Sequence, residues 1–395
     1  MQEDRDKEVI ALCEKVRRFV DEVAIPAESP AIARDVLALD QRVRALREQA
    51  RQAGIYAPQL PRSWGGLDLS WQALARVLEE AGRGFLGPAA LNCAAPDQPN
   101  MLTLLQLGTP AQQARFLEPL VRGTQRACFA MTEPAPGAGS DPSMLRTRAI
   151  RRHGQWLLQG HKKYISGGVG ADFALVLARA DEGATLFLVP ANTPGYRTVR
   201  DIGMVTGYQI GGHAEIILDD CAVPEDAVLG EVGQGLAHAQ LRLEPARLLH
   251  CMRYLGRARR ALDCASIYVN QRDSFGARLA DLQQIQAMVA DSTIELHASR
   301  LMTMECAERM DAGLSVKQQS AMAKVFVSET VNRVADRAVQ MMGALGLSED
   351  SPVSMIWQEL RAFRVYDGAN ELHRASIARR CLSQHSRLKG DTHVQ

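Results

Sequence analysis

The sequence predicts a mostly α protein with a middle β domain. Three observations carry that prediction. Apolar residues recur with the helical period over roughly the first 125 residues, the period falls to two between about 126 and 235, and the helical period returns after Gly235 and persists to the end. The expected order is an N-terminal helical domain at 1–125, an antiparallel β barrel or sheet at 126–235, and a C-terminal helical bundle domain at 236–395.

In the first segment Ile10, Cys13, Val16 and Val20 share one helical face, as do Val36, Leu39, Val43 and Leu46. Breakers at Pro26, Pro30, Pro58, Pro61, Gly65-Gly66 and Pro110 divide it into helices with short connections. The middle segment has β-type runs at 156–159, 173–177, 185–189 and 214–218, separated by glycine turns. No helix-length crossover lies between these runs, which favours antiparallel pairing. Beyond Gly235, helical stretches at about 236–272, 280–312 and 315–342 read as an antiparallel bundle broken at Gly276 and Gly313, with short helices after Pro352. The polar residues 387–395 are expected to form a mobile tail.

Composition excludes several functions. With 46% hydrophobic residues the chain can bury a substantial core. Its 46 basic and 45 acidic residues are spread along the sequence, leaving no basic face for nucleic acid and no acidic tail. The eight cysteines show no CxxC spacing and the nine histidines no metal-type cluster, so no metal site is expected and the cysteines read as small buried apolar residues. His250 and Cys251 are adjacent, but helix neighbours point about 100° apart and do not face each other. The chain begins Met-Gln-Glu-Asp-Arg-Asp-Lys-Glu, without a basic stretch leading into an apolar run, and no later segment approaches about 18 uninterrupted apolar residues. A cytoplasmic protein in a reducing compartment, with no membrane partner, is the expectation.

Four stretches could carry chemistry, and each has a plainer reading. Phe129-Ala130-Met131-Thr132-Glu133-Pro134, followed by Gly137-Ala138-Gly139-Ser140-Asp141, can cradle a phosphate or a polar ring edge, or can simply link two domains. In Lys162-Lys163-Tyr164-Ile165-Ser166-Gly167-Gly168, Tyr164 can stack on a flat cofactor and Ser166 can bond its edge, or the stretch is a strand end with its turn. Arg272-Asp273-Ser274-Phe275-Gly276 offers a guanidinium suited to pyrophosphate, or a solvated surface arginine. Arg364-Val365-Tyr366-Asp367-Gly368-Ala369-Asn370-Glu371 sets a carboxylate before a glycine, as a general base needs and as an Asp-Gly turn ending a helix also shows. No GxGxxG follows a strand and no GxxxxGK[ST] is present, so neither a Rossmann nor a Walker site is supported.

Taken in order, residues 129–141, Tyr164-Ile165-Ser166, residues 272–276 with Gln283, Gln340-Met341-Met342-Gly343-Ala344 and Tyr366-Asp367-Gly368 resemble the signatures of the acyl-CoA dehydrogenase family, over almost the whole chain. Asn92-Cys93-Ala94-Ala95-Pro96-Asp97, Arg247-Leu248-Leu249-His250-Cys251-Met252-Arg253 and Asp367-Gly368-Ala369-Asn370-Glu371-Leu372-His373 are similar to the branch containing family members ten and eleven, in which Asp precedes the Gly where most relatives carry Glu.

The resemblance implies an FAD flavoprotein, a homodimer or homotetramer, with an N-terminal helical domain, a middle β domain and a C-terminal four-helix bundle. It implies α,β-dehydrogenation of an acyl-CoA thioester to trans-2-enoyl-CoA, as in β-oxidation, with Asp367 as the α-proton base and electrons passed on to an electron-transfer flavoprotein. Phe129, Met131, Thr132 and Ser140 would line the flavin and the way in for CoA, and Tyr164, Ile165 and Ser166 would flank the isoalloxazine. Arg272, Ser274, Gln283, Gln340, Gly343 and Ala344 would reach the FAD of a neighbouring subunit, with Ala369 and Glu371 completing the cofactor contacts. Ser140, Glu244, Arg247, Tyr366 and Gly368 would touch the substrate, and the Asp367 N–H would bind the thioester oxygen.

Some relatives place the base immediately before the arginine, where this chain has Ala246; Glu244 can hold Arg247 from three residues away. Three features depart from the family pattern. Residues 132–137 are longer than the common form, Ala344 stands where Gly is usual, and Asp367 is one methylene shorter than Glu, at a position where a misplacement near 1 Å can cost on the order of 100-fold in rate. An acyl-CoA oxidase, a flavin monooxygenase or a non-catalytic relative on the same fold are the alternatives. Medium, long, branched and hydroxylated acyl groups all stay open.

Overall fold

The computed structural model describes residues 2–205, 207–274 and 276–388. Phe275 of the 272–276 motif and residues 389–395 of the polar tail lie outside the described residues. The chain divides into two compact units, Met1–Leu69 with Gly84–Ala246, and Ser70–Arg83 with Arg247–Gln395.

The N-terminal segment holds α1 (Gln2–Phe19), α2 (Pro30–Arg34), α3 (Val36–Gln52), α4 (Trp71–Gly82), α5 (Gly87–Ala90), α6 (Asp97–Leu107), α7 (Pro110–Gln112) and α8 (Glu118–Arg122). Of these, α4 belongs to the second unit and the rest to the first. Local chemistry starts the helices: the Asp35 carboxylate accepts from the Leu37 and Ala38 N–H groups, both at 3.0 Å, to open α3, and Thr109 with Gln112 forms a capping box on α7. Val16, Val20, Leu39, Val43 and Leu46 are buried as their spacing predicts, whereas Ile10, on the same face of α1, is 53% exposed.

The first unit continues as a seven-stranded sheet: β1 (Ala127–Ala130), β2 (Arg148–Arg152), β3 (Gln155–Ser166), β4 (Phe173–Ala180), β5 (Gly183–Pro190), β6 (Tyr196–Asp201) and β7 (His213–Pro224). The order is β1-β4-β2-β3-β7-β6, with β5 on β4. The four β-type runs of the sequence are parts of β3, β4, β5 and β7. Pairing is antiparallel throughout, as the short turns require, except that β1 runs parallel to β4 and β2 meets β4 in parallel at Arg148 and Arg179. The chain reaches the parallel position of β4 through the β2–β3 hairpin, so no crossover helix announces it in the sequence. Residues 173–178 of β4 are all buried, which explains a nearly continuous apolar run where alternation would mark a one-sided strand.

Helix α9 (Gly235–Gln271) begins in the first unit, continues through Pro245 without interruption and runs into the second from Arg247. There follow the β8 (Asp273–Ser274) and β9 (Ala277–Arg278) hairpin, α10 (Gln283–Asp311), α11 (Lys317–Met342), α12 (Ala344–Leu347), α13 (Pro352–Ala362) and α14 (Asn370–Leu388). The residues of α4 pack within this bundle. A Cβ on Gly82 would lie 2.0 Å from the Arg253 carbonyl oxygen, and one on Gly256 would lie 1.9 Å from that of Glu79. Helices α4 and α9 are therefore in backbone contact, and only glycine fits at either point.

The two N–H groups opening α4, those of Trp71 and Gln72, donate to the Asp311 carboxylate at 2.6 and 3.1 Å. Glu79 and Glu80 are buried on α4 and paired: Glu79 with Arg259 at 3.1 Å and Arg300 at 2.6 Å, Glu80 with Arg259 at 2.7 Å. Among the described residues no helix is long and apolar enough to cross a membrane.

The glycine crossing gives a stability test. Gly256→Ala must push α4 and α9 apart and should destabilise by roughly 1–3 kcal/mol, read as a lower thermal midpoint by circular dichroism. Gly203→Ala, whose Cβ meets nothing within 4 Å, serves as the comparison; equal midpoints for the two variants would contradict the backbone contact.

Candidate active site

In the second unit, the turn joining α13 to α14 carries Asp367 at φ 55° and Gly368 at φ 90°. A left-handed aspartate is held only by its surroundings, because this region costs a residue with Cβ roughly 1–2 kcal/mol. Three side chains hold it here. The Asp367 carbonyl accepts from Arg247 Nε at 3.0 Å and from His373 Nε2 at 3.0 Å, and the Gly368 carbonyl accepts from Lys324 Nζ at 2.8 Å. A carbonyl only accepts, so His373 carries its proton on Nε2. A Cβ on Gly368 would sit 2.8 Å from that nitrogen, which leaves glycine as the fitting residue.

Lys324 is wholly buried and also donates to Asn370 Oδ1 at 2.8 Å. Asn370 in turn donates to Glu329 Oε1 at 2.8 Å and to Ser328 Oγ at 2.9 Å. Burial lowers the Lys324 ammonium to about 8, with the Asp367 charge acting against that shift. Burial also pushes His373 down to about 4, against the hydrogen bond to Asp367, so its ring is neutral at pH 7.

The Asp367 side chain reaches α9. Its Oδ2 lies 2.7 Å from His250 Nδ1, and the two side chains are 14% and 12% exposed. The His250 ring stands among Tyr366, Tyr254 and Phe363, with centroid separations of 5.1, 5.7 and 5.8 Å. The Tyr366 hydroxyl donates to that of Tyr254, and burial raises both phenols, which stay protonated. Burial likewise raises the Cys251 thiol, so it is no nucleophile, and its neighbour His250 faces the carboxylate.

The other residues expected here have plain positions. Ala246 is buried and apolar, without a group that could act as a base. Glu244 is half-buried on the part of α9 that belongs to the first unit. Ala369 offers its carbonyl to the N–H groups of Leu372 and His373, at 3.0 and 3.3 Å, and Glu371 is exposed in the first turn of α14. Arg272, Gln283, Gln340, Gly343 and Ala344 are exposed, and Ser274 is half-buried in β8.

The flavin-type residues of the first unit gather where β1 leads into the 131–147 loop beside β3. Lys163 N–H donates to the Thr132 carbonyl at 3.0 Å, and Thr132 Oγ1 donates back to the Lys163 carbonyl at 2.6 Å. Lys162 Nζ donates to the Met131 carbonyl at 3.0 Å and to Glu133 at 2.9 Å. Glu133 also accepts from the N–H groups of Ala138, Arg146 and Thr147 at 3.1, 2.8 and 2.9 Å, fixing the loop that presents Ser140, which is exposed. Burial alone would raise the Glu133 carboxyl, but Lys162 and the Thr147 hydrogen bonds outweigh it and hold the group at about 2.

A register shift between Lys162 and Ile165 turns Tyr164 outward, 52% exposed at φ 61°, while Ile165 enters the sheet core. Only the backbone of Ile165 is thus available to a ligand. Ser166 Oγ is 3.1 Å from His213 Nδ1, and Arg126 donates to the carbonyls of Gly167, Val169 and Gly170, which sets the turn behind it. Phe129 carries the Arg242 guanidinium 4.1 Å over its ring, and Arg242 Nε donates to Asn100 Oδ1 at 2.8 Å. An exposed aromatic ring, with a hydroxyl oxygen at Thr132 left to accept and the Ser166 hydroxyl nearby, fits a flat, polar-edged ring system.

Residues 6–124, 128–221 and 233–382 match, in turn, the acyl-CoA dehydrogenase N-terminal, middle and C-terminal domains. The chain belongs to the acyl-CoA dehydrogenase family. It is 32% identical over 400 residues to acyl-CoA dehydrogenase family member 10 of Mus musculus, covering 96% of this chain and 37% of that protein. It is 35% identical over 350 residues to family member 11 of Gallus gallus, covering 85% of this chain and 44% of that protein. The chain therefore spans less than half the length of either relative. Among solved structures, glutaryl-CoA dehydrogenase from Mycobacterium smegmatis superposes with a TM-score of 0.85 at 26% identity, covering 98% of this chain and 96% of that one. Acyl-CoA dehydrogenases are FAD-dependent oxidoreductases that act on acyl-CoA.

Lys324, His373, Glu133 and Lys162 are among the residues of these clusters to which the sequence alone gives no role. Signals for two of them were present. Lys324 interrupts the apolar face made by Ala321, Val327 and Val331 on α11, and Lys162 falls on an inward position of β3. His250 follows the same logic, since Arg247, His250 and Tyr254 share a face at i, i+3 and i+7.

The Glu133 cluster sets an acid limit on stability. Its folded pKa lies below the ordinary 4.5, so its contribution is complete above pH 4.5 and lost as pH falls towards about 2. Glu133→Gln should cost roughly 3 kcal/mol in urea unfolding at pH 7, and the gap to the parent should shrink steadily on acidification. A gap that stays constant down to about pH 2 would show that the carboxylate charge is not what matters.

Proposed function

We propose that this chain dehydrogenates an acyl-CoA thioester to the trans-2-enoyl-CoA, with Asp367 as the α-proton base and an electron-transfer flavoprotein as electron acceptor. The observation that carries this reading is a carboxylate on a left-handed turn whose own carbonyl and the next are both clamped, in a chain with all three acyl-CoA dehydrogenase domains. A base that must meet one carbon–hydrogen bond needs that fixed backbone more than it needs reach.

FAD, when bound, supplies the acceptor for the hydride that leaves Cβ. Phe129, Met131, Thr132, Ser140, Tyr164, Ser166 and the Ile165 backbone would hold it on the first unit. Exposed Arg272, Gln283, Gln340, Gly343 and Ala344, with Ser274, are placed as residues serving the cofactor of a second copy would need to be, which supports a homodimer or homotetramer.

The protein's own share of the chemistry is acid–base. The α-proton moves to the Asp367 carboxylate as the C–H electrons form the new double bond, leaving Asp367 neutral until it returns the proton to solvent. A thioester α-proton is a far weaker acid than a carboxyl group in water, so the developing charge on the thioester oxygen needs a donor, for which the Asp367 N–H is the candidate. Tyr254, Phe363 and Tyr366 around His250 keep water from one side of the carboxylate. Arg247, bound to the Asp367 carbonyl, holds the peptide plane that follows the base.

Anaerobic addition of butyryl-, octanoyl- and palmitoyl-CoA to the holoenzyme should bleach the flavin with at least one of them. Asp367→Asn should keep its FAD and bleach on the order of 100- to 10,000-fold more slowly. Bleaching at the parental rate in Asp367→Asn would remove the base assignment, and peroxide formed in step with aerobic turnover would favour an oxidase instead.

A further inference from the structure

We infer that His213 is a positioning residue for Ser166: it holds the serine hydroxyl from one side and so fixes how that hydroxyl meets the edge of a bound flavin ring. The inference rests on the reading that Ser166 meets the flavin. It is carried by the hydrogen bond between Ser166 Oγ and His213 Nδ1, 3.1 Å long, which joins two strands at a point where the backbone leaves neither of them room to shift.

Ser166 ends β3 and His213 opens β7, and the two are antiparallel register partners, so their side chains rise from the same face of the sheet. Backbone bonds hold both in place. The His213 N–H donates to Asp201 Oδ1 at 2.8 Å, the Ile202 N–H donates to the His213 carbonyl at 2.8 Å, and the Gly167 N–H donates to the Gly212 carbonyl at 2.8 Å. A Cβ on Gly212 would lie 2.4 Å from Asp201 Oδ1, so that carboxylate sits directly against the residue before His213. Both side chains of the pair are half-buried, next to the irregular step that turns Tyr164 outward.

A serine side chain does not fix its own direction. Its Cα–Cβ bond has three staggered wells and its hydroxyl rotates, with one hydrogen to give and two lone pairs to offer. The bond to Nδ1 selects one well and uses one of those capacities, leaving the others for a ligand. Nδ1 can answer in either sense. Burial lowers the imidazole below its ordinary 6.5, against the Asp201 charge, so the ring is neutral at pH 7. In one neutral tautomer Nδ1 accepts from the Ser166 hydroxyl, which then presents lone pairs to the ligand; in the other Nδ1–H donates to Oγ, and Ser166 presents its hydrogen. The polar edge of an isoalloxazine asks for both, since a ring nitrogen that accepts in the oxidised state carries a hydrogen in the reduced one. His213 thus keeps the oxygen in one place while its bonding sense changes.

The test uses FAD-loaded parent, Ser166→Ala, His213→Leu, His213→Asn and the double variant carrying Ser166→Ala and His213→Leu. Release of FAD on dilution is followed by flavin fluorescence, and the visible flavin band reports the surroundings of the ring. His213→Leu should release FAD roughly 3- to 10-fold faster than the parent and shift the band in the direction that Ser166→Ala shifts it. Placed on Ser166→Ala, the same substitution should change release by less than about 2-fold, because a residue that acts through the hydroxyl has nothing left to act on. His213→Asn, whose amide can turn either an oxygen or an N–H towards Oγ, should return release to within about 2-fold of the parent.

Equal effects of His213→Leu with and without the Ser166 hydroxyl, or a His213→Asn that releases FAD as fast as His213→Leu, overturn the inference. Ser166→Ala separates it from the reading beneath it. Parental release and an unshifted band in Ser166→Ala remove Ser166 from the flavin, and the inference with it; an altered Ser166→Ala beside a parental His213→Leu overturns the inference alone. A His213→Leu that does not fold is covered by a measurement on the imidazole itself. In ¹⁵N-histidine-labelled holoenzyme the His213 Nδ1 resonance should move in Ser166→Ala, and an unmoved resonance overturns the inference.

Discussion

Lys324 carries an ammonium into the interior of the second unit and directs it at the Gly368 carbonyl and the Asn370 side chain, and the geometry of the proposed base follows from that burial. Leaving such a charge without partners costs several kcal/mol, whereas the left-handed backbone of Asp367 costs roughly 1–2 kcal/mol. The buried ammonium therefore favours the strained conformation, because relaxing the turn would take away the Gly368 carbonyl and leave Asn370 Oδ1 to accept from it. Arg247 and His373 then act on a turn already shaped, fixing the peptide plane between Asp367 and Gly368.

Buried charge plays a similar part elsewhere in the chain. Glu133 and Lys162 fix the loop that follows β1, through a carboxylate that collects backbone N–H groups from three residues. Glu79 and Glu80 fix α4 through Arg259 and Arg300. Replacing such pairs by apolar residues often leaves stability unchanged or improves it, so their value lies more in specifying one arrangement than in strengthening it. The Glu133 and Lys324 clusters both stand next to residues proposed to meet cofactor or substrate, where a loop that wandered by an ångström would cost rate.

Periodicity in the sequence revealed what depends on neighbours in the chain. The long helices α9, α10 and α11 and the strands β3, β4, β5 and β7 were legible because burial imposes a repeat of 3.6 or two on consecutive residues. The parallel seating of β1 on β4 was not, since it is set by a hairpin between them and by contacts over 40 residues away. Ordered motifs pointed to Asp367, Tyr164 and Ser166, but they could not show that Ile165 turns into the core, because one irregular step in β3 decides which side chain faces out. Nor could they pair His250 with Asp367, 117 positions apart, whose meeting depends on how α9 and the α13–α14 turn pack.

The placement of α4 bears on how the chain is made. Residues 70–83 belong to the second unit, although the rest of that unit begins only at Arg247. During synthesis this helix leaves the ribosome with Glu79 and Glu80 facing neither Arg259 nor Arg300, which come some 180 and 220 residues later. The N-terminal half cannot settle as a finished body ahead of the C-terminal half. For the same reason, a cut after Ala246 would leave behind an orphaned amphipathic helix, and a C-terminal bundle transplanted alone would carry a groove lined with arginines where α4 belongs.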